Sequence, residues 1–283
     1  MSEASGSLSS DVTAHDVQVL PRPSAEQRMA LARHAGAARF GFNQCLALVK
    51  SAMTDRKADP ITEVPWTGFD LINAFNTWKR SADAGRVFAV GLDGVAEIVA
   101  TGLPWRREVR QEVFEEAAAD LSKGLSAWSQ CRSGSRRGKK VGFPKFKKKA
   151  GSTPSFRMRN RHRAGRMPPI RVGDNNRPRS VTLPGIGQIR VHDNTRRLRG
   201  MLNKGRAKIL FATVSHRGGR WWVSLNVEAA ALHLAERHQP HDPTDTRAWV
   251  GVDLGLSAYL VAATADGREI ARITHAPKAL TVD

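Results

Sequence analysis

The stretch that most constrains this chain is Trp249–Ile270, WVGVDLGLSAYLVAATADGREI. An apolar run from Trp249 to Val252 ends in a carboxylate, Asp253, with Gly255 two residues further on. A second apolar run, Tyr259–Ala263, reaches Asp266-Gly267, a strong two-residue hairpin signal. The pattern predicts two antiparallel strands with Asp253 at the inner end of the first. Two roles are open to that carboxylate. It can hold a divalent metal, with Gly255 letting a phosphate backbone come close, or it can cap a turn at the end of an ordinary buried strand.

The upstream charge distribution narrows the field. The chain has 283 residues, 41% of them apolar, and a formal charge of +19. Between Arg132 and Arg206 stand 23 Lys/Arg against Asp174 and Asp193, so that segment carries +21 and the remainder −2. A near-neutral protein with one intensely basic middle calls for a polyanionic partner rather than a small-molecule substrate. Two cysteines, Cys45 and Cys131, without a CxxC pair give neither a disulfide framework nor a zinc site. The N-terminus lacks a basic, apolar signal sequence, and no run reaches 18 apolar residues. A soluble, intracellular protein with no membrane partner is expected.

Residues 1–14 are small and polar and read as a disordered tail. A short strand at Val17–Leu20 ends at Pro21 and Pro23. Ser24-Ala25-Glu26-Gln27 is a capping box opening a helix, and Leu31, Ala35, Ala38, Phe42, Cys45 and Val49 step by four and three along one face. Asp59-Pro60 to Pro65 breaks the chain. Gly68–Arg80 reads as a second short helix, and Pro104 opens a third that runs to about Gln130, with Phe114, Ala118, Leu121, Leu125 and Trp128 on its apolar face. Its N-terminal half is acidic, which suits the helix dipole.

The basic middle contains Arg136–Lys149, RRGKKVGFPKFKKK, with eight cations in fourteen residues and no acid. Val141, Phe143 and Phe146 are threaded through it, and Gly142 and Pro144 fix a bend. Cations and aromatics on a rigid turn suit phosphate binding with base or sugar packing, though both rings could equally pack beneath the loop. The candidate nucleic-acid contacts are Arg136, Arg137, Lys139, Lys140, Phe143, Lys145, Phe146, Lys147, Lys148 and Lys149. Arg157, Arg159 and Arg161 join them as the cationic face of an alternating strand. Hairpins are expected at 181–191 around Pro184–Gly187 and at 209–227 around Gly218-Gly219, together forming a small barrel. His233, His238 and His241 follow in a linker.

Together these pieces resemble the TnpB/OrfB family of insertion-sequence proteins, which are related to type V CRISPR effectors. The resemblance rests on RPSAEQ (Arg22–Gln27), ARFGFNQCL (Ala38–Leu46), KKVGFPKFKKK (Lys139–Lys149) with SFR (Ser155–Arg157), LPGIGQIRV (Leu183–Val191), GGRWWVSLNVE (Gly218–Glu228) and VGVDLG (Val250–Gly255). It implies a transposon-associated, RNA-guided DNA-binding protein, with guide RNA and double-stranded DNA as partners. It implies an α+β multidomain fold, in which a helical, helix-turn-helix-like recognition module (24–130) is inserted in a small β-barrel wedge domain. That domain comprises a first strand at 15–23 and the basic loop and barrel at 131–230. A linker (231–246) leads to a RuvC-like, RNase H-type nuclease domain begun at 247–283. By motif match, Asp253 is the first metal-binding and catalytic carboxylate of a Mg2+-dependent endonuclease. The family pattern continues with a Glu, a zinc ribbon and a last Asp, none of which appears by Asp283. One Asp does not hold two metal ions, so the expectation is a catalytically incomplete chain, or a guide-independent nucleic-acid-binding remnant.

Overall fold

The computed structural model describes residues 13–92, 94–161, 165–229, 250–253, 260–264 and 268–274. The chain divides into two compact units, residues 1–232 and 233–283.

The first unit opens with strands β1 (Thr13–Val19) and β2 (Pro21–Arg22), then α1 (Ala25–Ala58). The predicted capping box starts this helix. Ser24 Oγ accepts from Gln27 N, and Gln27 Oε1 accepts from Ser24 N, satisfying two otherwise orphaned backbone donors. Of the six residues on the predicted apolar face, Leu31, Ala35, Phe42, Cys45 and Val49 are buried and Ala38 is partly so. A second helix, α2 (Gly68–Trp78), and α3 (Gln111–Arg132) pack against it. A Cβ on Gly41 would come within 3.2 Å of the Phe114 ring, so a larger residue there would push α1 and α3 apart.

Helix α3 begins at Gln111, not at Pro104, because Leu103–Glu108 forms consecutive turns. Trp105 holds these turns against the helices, with its ring 5.2 Å from Phe40 and 5.9 Å from Phe114. Tertiary packing here outweighs the preference of proline for a first helical turn. Between α2 and α3 lies a hairpin with no counterpart in the sequence reading, β3 (Arg86–Val90) and β4 (Ala96–Thr101), exposed throughout.

The remaining strands are β5 (Ser155–Arg159), β6 (Arg171–Val172), β7 (Ser180–Leu183), β8 (Gly187–Val191), β9 (Ala207–Arg217) and β10 (Arg220–Ala229), with α4 (Arg196–Asn203) between β8 and β9. Both predicted hairpins form: β7 pairs with β8, and β9 with β10 across Gly218-Gly219, whose φ angles of 54° and 73° suit a tight hairpin turn. The expected barrel, however, is not closed among the described residues. The strands make two open four-stranded antiparallel sheets, β1-β10-β9-β5 and β2-β8-β7-β6. Two-residue strands β2 and β6 edge the second sheet and offer too few ladder bonds to close it. One core runs through this unit, from Leu46, Phe75 and Leu121 of the helices to Ile189 and Leu225 of the sheets.

The second unit contains a three-stranded antiparallel sheet, β11 (Val250–Asp253), β12 (Leu260–Thr264) and β13 (Glu269–Ile273), in that order. The predicted antiparallel pair thus forms, with Asp253 opposite Val261. Asp266-Gly267 and His233, His238 and His241 lie outside the described residues. No described helix is long and apolar enough to cross a membrane.

Candidate nucleic-acid interface

The basic bend is held in place by α1 and α3. Asn43 brackets Lys147 as a strand partner would: its Nδ2 donates to Lys147 O (3.0 Å) and its Oδ1 accepts from Lys147 N (2.8 Å). Val141 N donates to Cys131 Sγ at 3.4 Å, and Ser152 Oγ donates to Lys148 O at 2.6 Å. Pro144 lies against Gly124 of α3, where a Cβ would sit 3.4 Å from its ring. Such anchoring removes much of the entropy that a charged loop would otherwise lose on gripping a ligand.

The two phenylalanines of the bend divide. Phe143 packs on the core edge-to-face against Trp128, with ring centres 5.0 Å apart. Phe146 stays 47% exposed, with Lys50 Nζ 4.6 Å from its ring centre. The lysines divide too. The Lys147 ammonium sits 3.8 Å from the centre of the Phe42 ring. Desolvation lowers its pKa there, while the Asp120 carboxylate pulls the other way. Arg136, Arg137, Lys139, Lys140, Lys145, Lys148 and Lys149 are exposed and make no ion pair among the described residues.

The predicted cationic strand carries internal partners. Arg159 Nε donates to Glu116 of α3. Arg157 lies 3.6 Å from the same carboxylate and 3.9 Å from Asp120, and Arg161 Nη2 donates to Glu115 at 2.8 Å. These pairs join β5 to α3. The sequence holds the signal as two complementary sets, arginines at 157, 159 and 161 and acids at 115, 116 and 120. Only the fold shows that they face each other. Between them opens a cleft of about 310 Å³ that also receives Arg39, Lys147 and Thr213. Asn43, which sets the bend, was not among the expected site residues. Its place next to Phe42 in ARFGFNQCL is its only local signal.

Asp253 ends β11, and the remaining described carboxylate near that sheet, Glu269, is bound by Arg272 through bonds of 2.9 and 2.5 Å. That contact holds Glu269 below the usual carboxylate range. Among the described residues no three His, Cys, Asp or Glu side chains converge as metal ligands. The described residues therefore do not fit a two-metal centre, and no cleavage step is derived from them.

A family model described as a helix-turn-helix domain, that of OrfB proteins of the IS605 type, matches residues 22–58. In this chain that segment is β2 and the single continuous helix α1. Two proteins of Mycobacterium tuberculosis, from strains CDC 1551 / Oshkosh and ATCC 25618 / H37Rv, are named provisionally as RNA-guided DNA endonucleases. Each is 32% identical over 253 residues, covering 89% of this chain and 49% of the relative. The chain thus spans about half the length of the curated relatives it matches. Among solved structures, the Cas12f1–sgRNA–target DNA complex aligns over 94% of this chain and 66% of that one, at 12% identity and a TM-score of 0.27, too low to support a shared fold. With the OrfB helix-turn-helix model matched at its start and 32% identity to these relatives along 89% of its length, this chain is similar to the OrfB proteins of insertion sequences.

Proposed function

We propose that this chain is a transposon-associated, RNA-guided DNA-binding protein of the endonuclease family, in which a bound RNA supplies the sequence specificity. The observation that carries the reading is the anchored basic bend. Seven exposed cations without an ion-pair partner among the described residues stand on or beside a loop pinned to α1 by the Asn43 bracket. That arrangement recognises phosphate backbone rather than base sequence, as expected of a protein that leaves base reading to a guide. Arg157, Arg159 and Arg161 join this surface by exchanging their α3 carboxylates for phosphates.

In domain terms, 24–130 would serve as the recognition module, 131–230 with the first strand as the wedge, and 247–283 as the start of a RuvC-like domain. There Asp253 is the proposed first ligand of a divalent metal, Mg2+ by family analogy. The remaining ligands would come from outside the described residues. Cytoplasmic, nucleoid-associated placement follows from DNA as the partner.

The test is the nucleic acid that purifies with the protein. One RNA species of defined length and sequence, with double-stranded DNA bound only when it matches that RNA, is expected. A length-heterogeneous mixture with no sequence in common would replace this reading with guide-independent binding.

A further inference from the structure

The β1-β10-β9-β5 sheet turns one face to the core, while the other is half-buried at Phe211, Thr213 and Trp222 and closed over Ser215. Trp221, Val223, Leu225 and Val227 enter the core, so the alternate residues of β10, Trp222, Ser224 and Asn226, lie on the other face. The register sets Ser215, Thr213 and Phe211 of β9 opposite them in turn. Phe211 and Trp222 are each half-buried, and neither belongs to the core or packs on it.

Each ring is flanked by two arginines. The Arg157 guanidinium lies 4.9 Å from the Phe211 ring centre, and Arg159 is opposite Phe211 on β5. At the other end, Arg217 and Arg220 share the face with Trp222 by strand alternation. Both are exposed and neither is ion-paired among the described residues. Arg217 Nε donates to Ser215 Oγ at 3.2 Å. Thr213 and Ser224 floor the gap between the rings, and Asn226 lies beside Phe211. Asp16, which accepts from Asn226 Nδ2 at 3.2 Å, closes the far end. Thr213 also lines the cleft holding Arg39, Lys147 and Arg157, so the face runs continuously into the candidate interface.

We propose that this sheet face is a stacking platform for an unpaired segment of RNA, with one base on Phe211 and another on Trp222. The inference rests on the nucleic-acid reading above but names a different surface and a different chemistry. The flanking arginines match the phosphates on either side of each stacked base. The floor hydroxyls and the neighbouring amide suit a ribose 2′-OH, and the bases of a duplex cannot reach the rings. Phe211 lies four residues along the strands from Trp222, about 13 Å, too far for neighbouring bases stacked about 3.4 Å apart. The two rings therefore hold separate bases of a splayed strand. Arg157 now covers Phe211, and a base arriving there displaces its guanidinium toward phosphate.

The test uses the full chain with a fluorescein-labelled, unstructured RNA of about 12 nucleotides, a length within known single-strand site sizes, and the same RNA annealed to its complement. Phe211→Leu and Trp222→Leu keep apolar bulk but remove the ring. Each is expected to weaken single-strand binding roughly 5- to 150-fold with an unchanged salt dependence, leaving duplex binding unaltered. In the parent protein, ultraviolet crosslinking to the RNA should map to the peptides carrying Phe211 and Trp222, a readout independent of the variants' folding. Variants that bind the single strand as the parent does, or that lose both ligands equally, would overturn the platform and leave the basic-bend reading standing. A parent chain that binds neither RNA nor duplex would overturn both.

Discussion

Replacing Glu116 with Gln should move stability and nucleic-acid affinity in opposite directions. The Glu116 side chain is 9% exposed, accepts a bond from Arg159, and lies 3.6 Å from Arg157. At about 4 Å and an effective dielectric of about 20, each pair is worth about 4 kcal/mol before desolvation. The arginine side chains remain 29% and 39% exposed. Water therefore screens part of the attraction, and removing both ions from it costs most of the rest, leaving a net loss of about 2 kcal/mol for the neutral, isosteric variant. For a unit of this size that lowers Tm by about 4–8 °C. The same change frees Arg159, leaves Arg157 with only the more distant Asp120 carboxylate at 3.9 Å, and removes a carboxylate that repels phosphate. The slope of log affinity against log salt should then steepen by about 1–2, with tighter binding at low salt. Differential scanning fluorimetry and fluorescence anisotropy across a KCl series read the two effects separately. A fall in affinity alongside Tm, with an unchanged slope, would show that these arginines only join β5 to α3.

Phe143→Ala removes a ring packed edge-to-face on Trp128 and should cost about 2–3 kcal/mol of stability. Phe146→Ala, at an exposed ring with one cation over it, should stay within about 1 kcal/mol; equal Tm losses in the two would contradict this division. Asn43→Ala should release the bend and speed tryptic cleavage after Lys145–Lys149 with little change in global Tm, whereas unchanged cleavage would show that the loop is held elsewhere. His34 is buried, with Nδ1 bonded to Ala30 O at 2.8 Å and Nε2 without a hydrogen-bond partner among the described residues. Desolvation lowers its pKa, with smaller effects from Ala30, Arg33 and Arg110. Its neutral form is therefore favoured by folding, and the stability it contributes is complete above about pH 6.5 and lost as pH falls through the lower folded value. His34→Gln should flatten that acid limb in pH-dependent thermal melts, and an identical limb in the variant would refute the assignment.

Much of the fold is legible because local signals and tertiary packing agree. The Ser24 capping box, the four-three spacing from Leu31 to Val49, and the Gly218-Gly219 turn each form the element their pattern specifies. The start of α3 is not legible, because Trp105 draws the residues after Pro104 into turns against Phe40 and Phe114. Nor is the open form of the sheets, since strand alternation reveals which face is buried but not whether the edges meet. At the interface, the run of cations is plain in the sequence. Which of them are already engaged is not. Arg157 and Arg159 meet Glu116 only because β5 is laid beside α3, and the Lys147 ammonium is engaged only because the Phe42 ring stands beneath it. The outer-face pairing of Phe211 with Trp222 needs the β9–β10 register, which sequence alternation alone does not supply.

The most direct test of the central claim neutralises Lys145, Lys148 and Lys149 together, three exposed cations of the bend that have no ion-pair partner among the described residues. Each neutralised phosphate contributes about 0.7–0.9 to the slope of log affinity against log salt, so the triple alanine variant should lower that slope by about 2–3 and weaken all sequences alike. Its Tm should match the parent's, since none of the three packs on the core. A variant that keeps the parent's salt slope would show that the bend is a solvated surface rather than a phosphate-binding one, contradicting the function proposed for this chain.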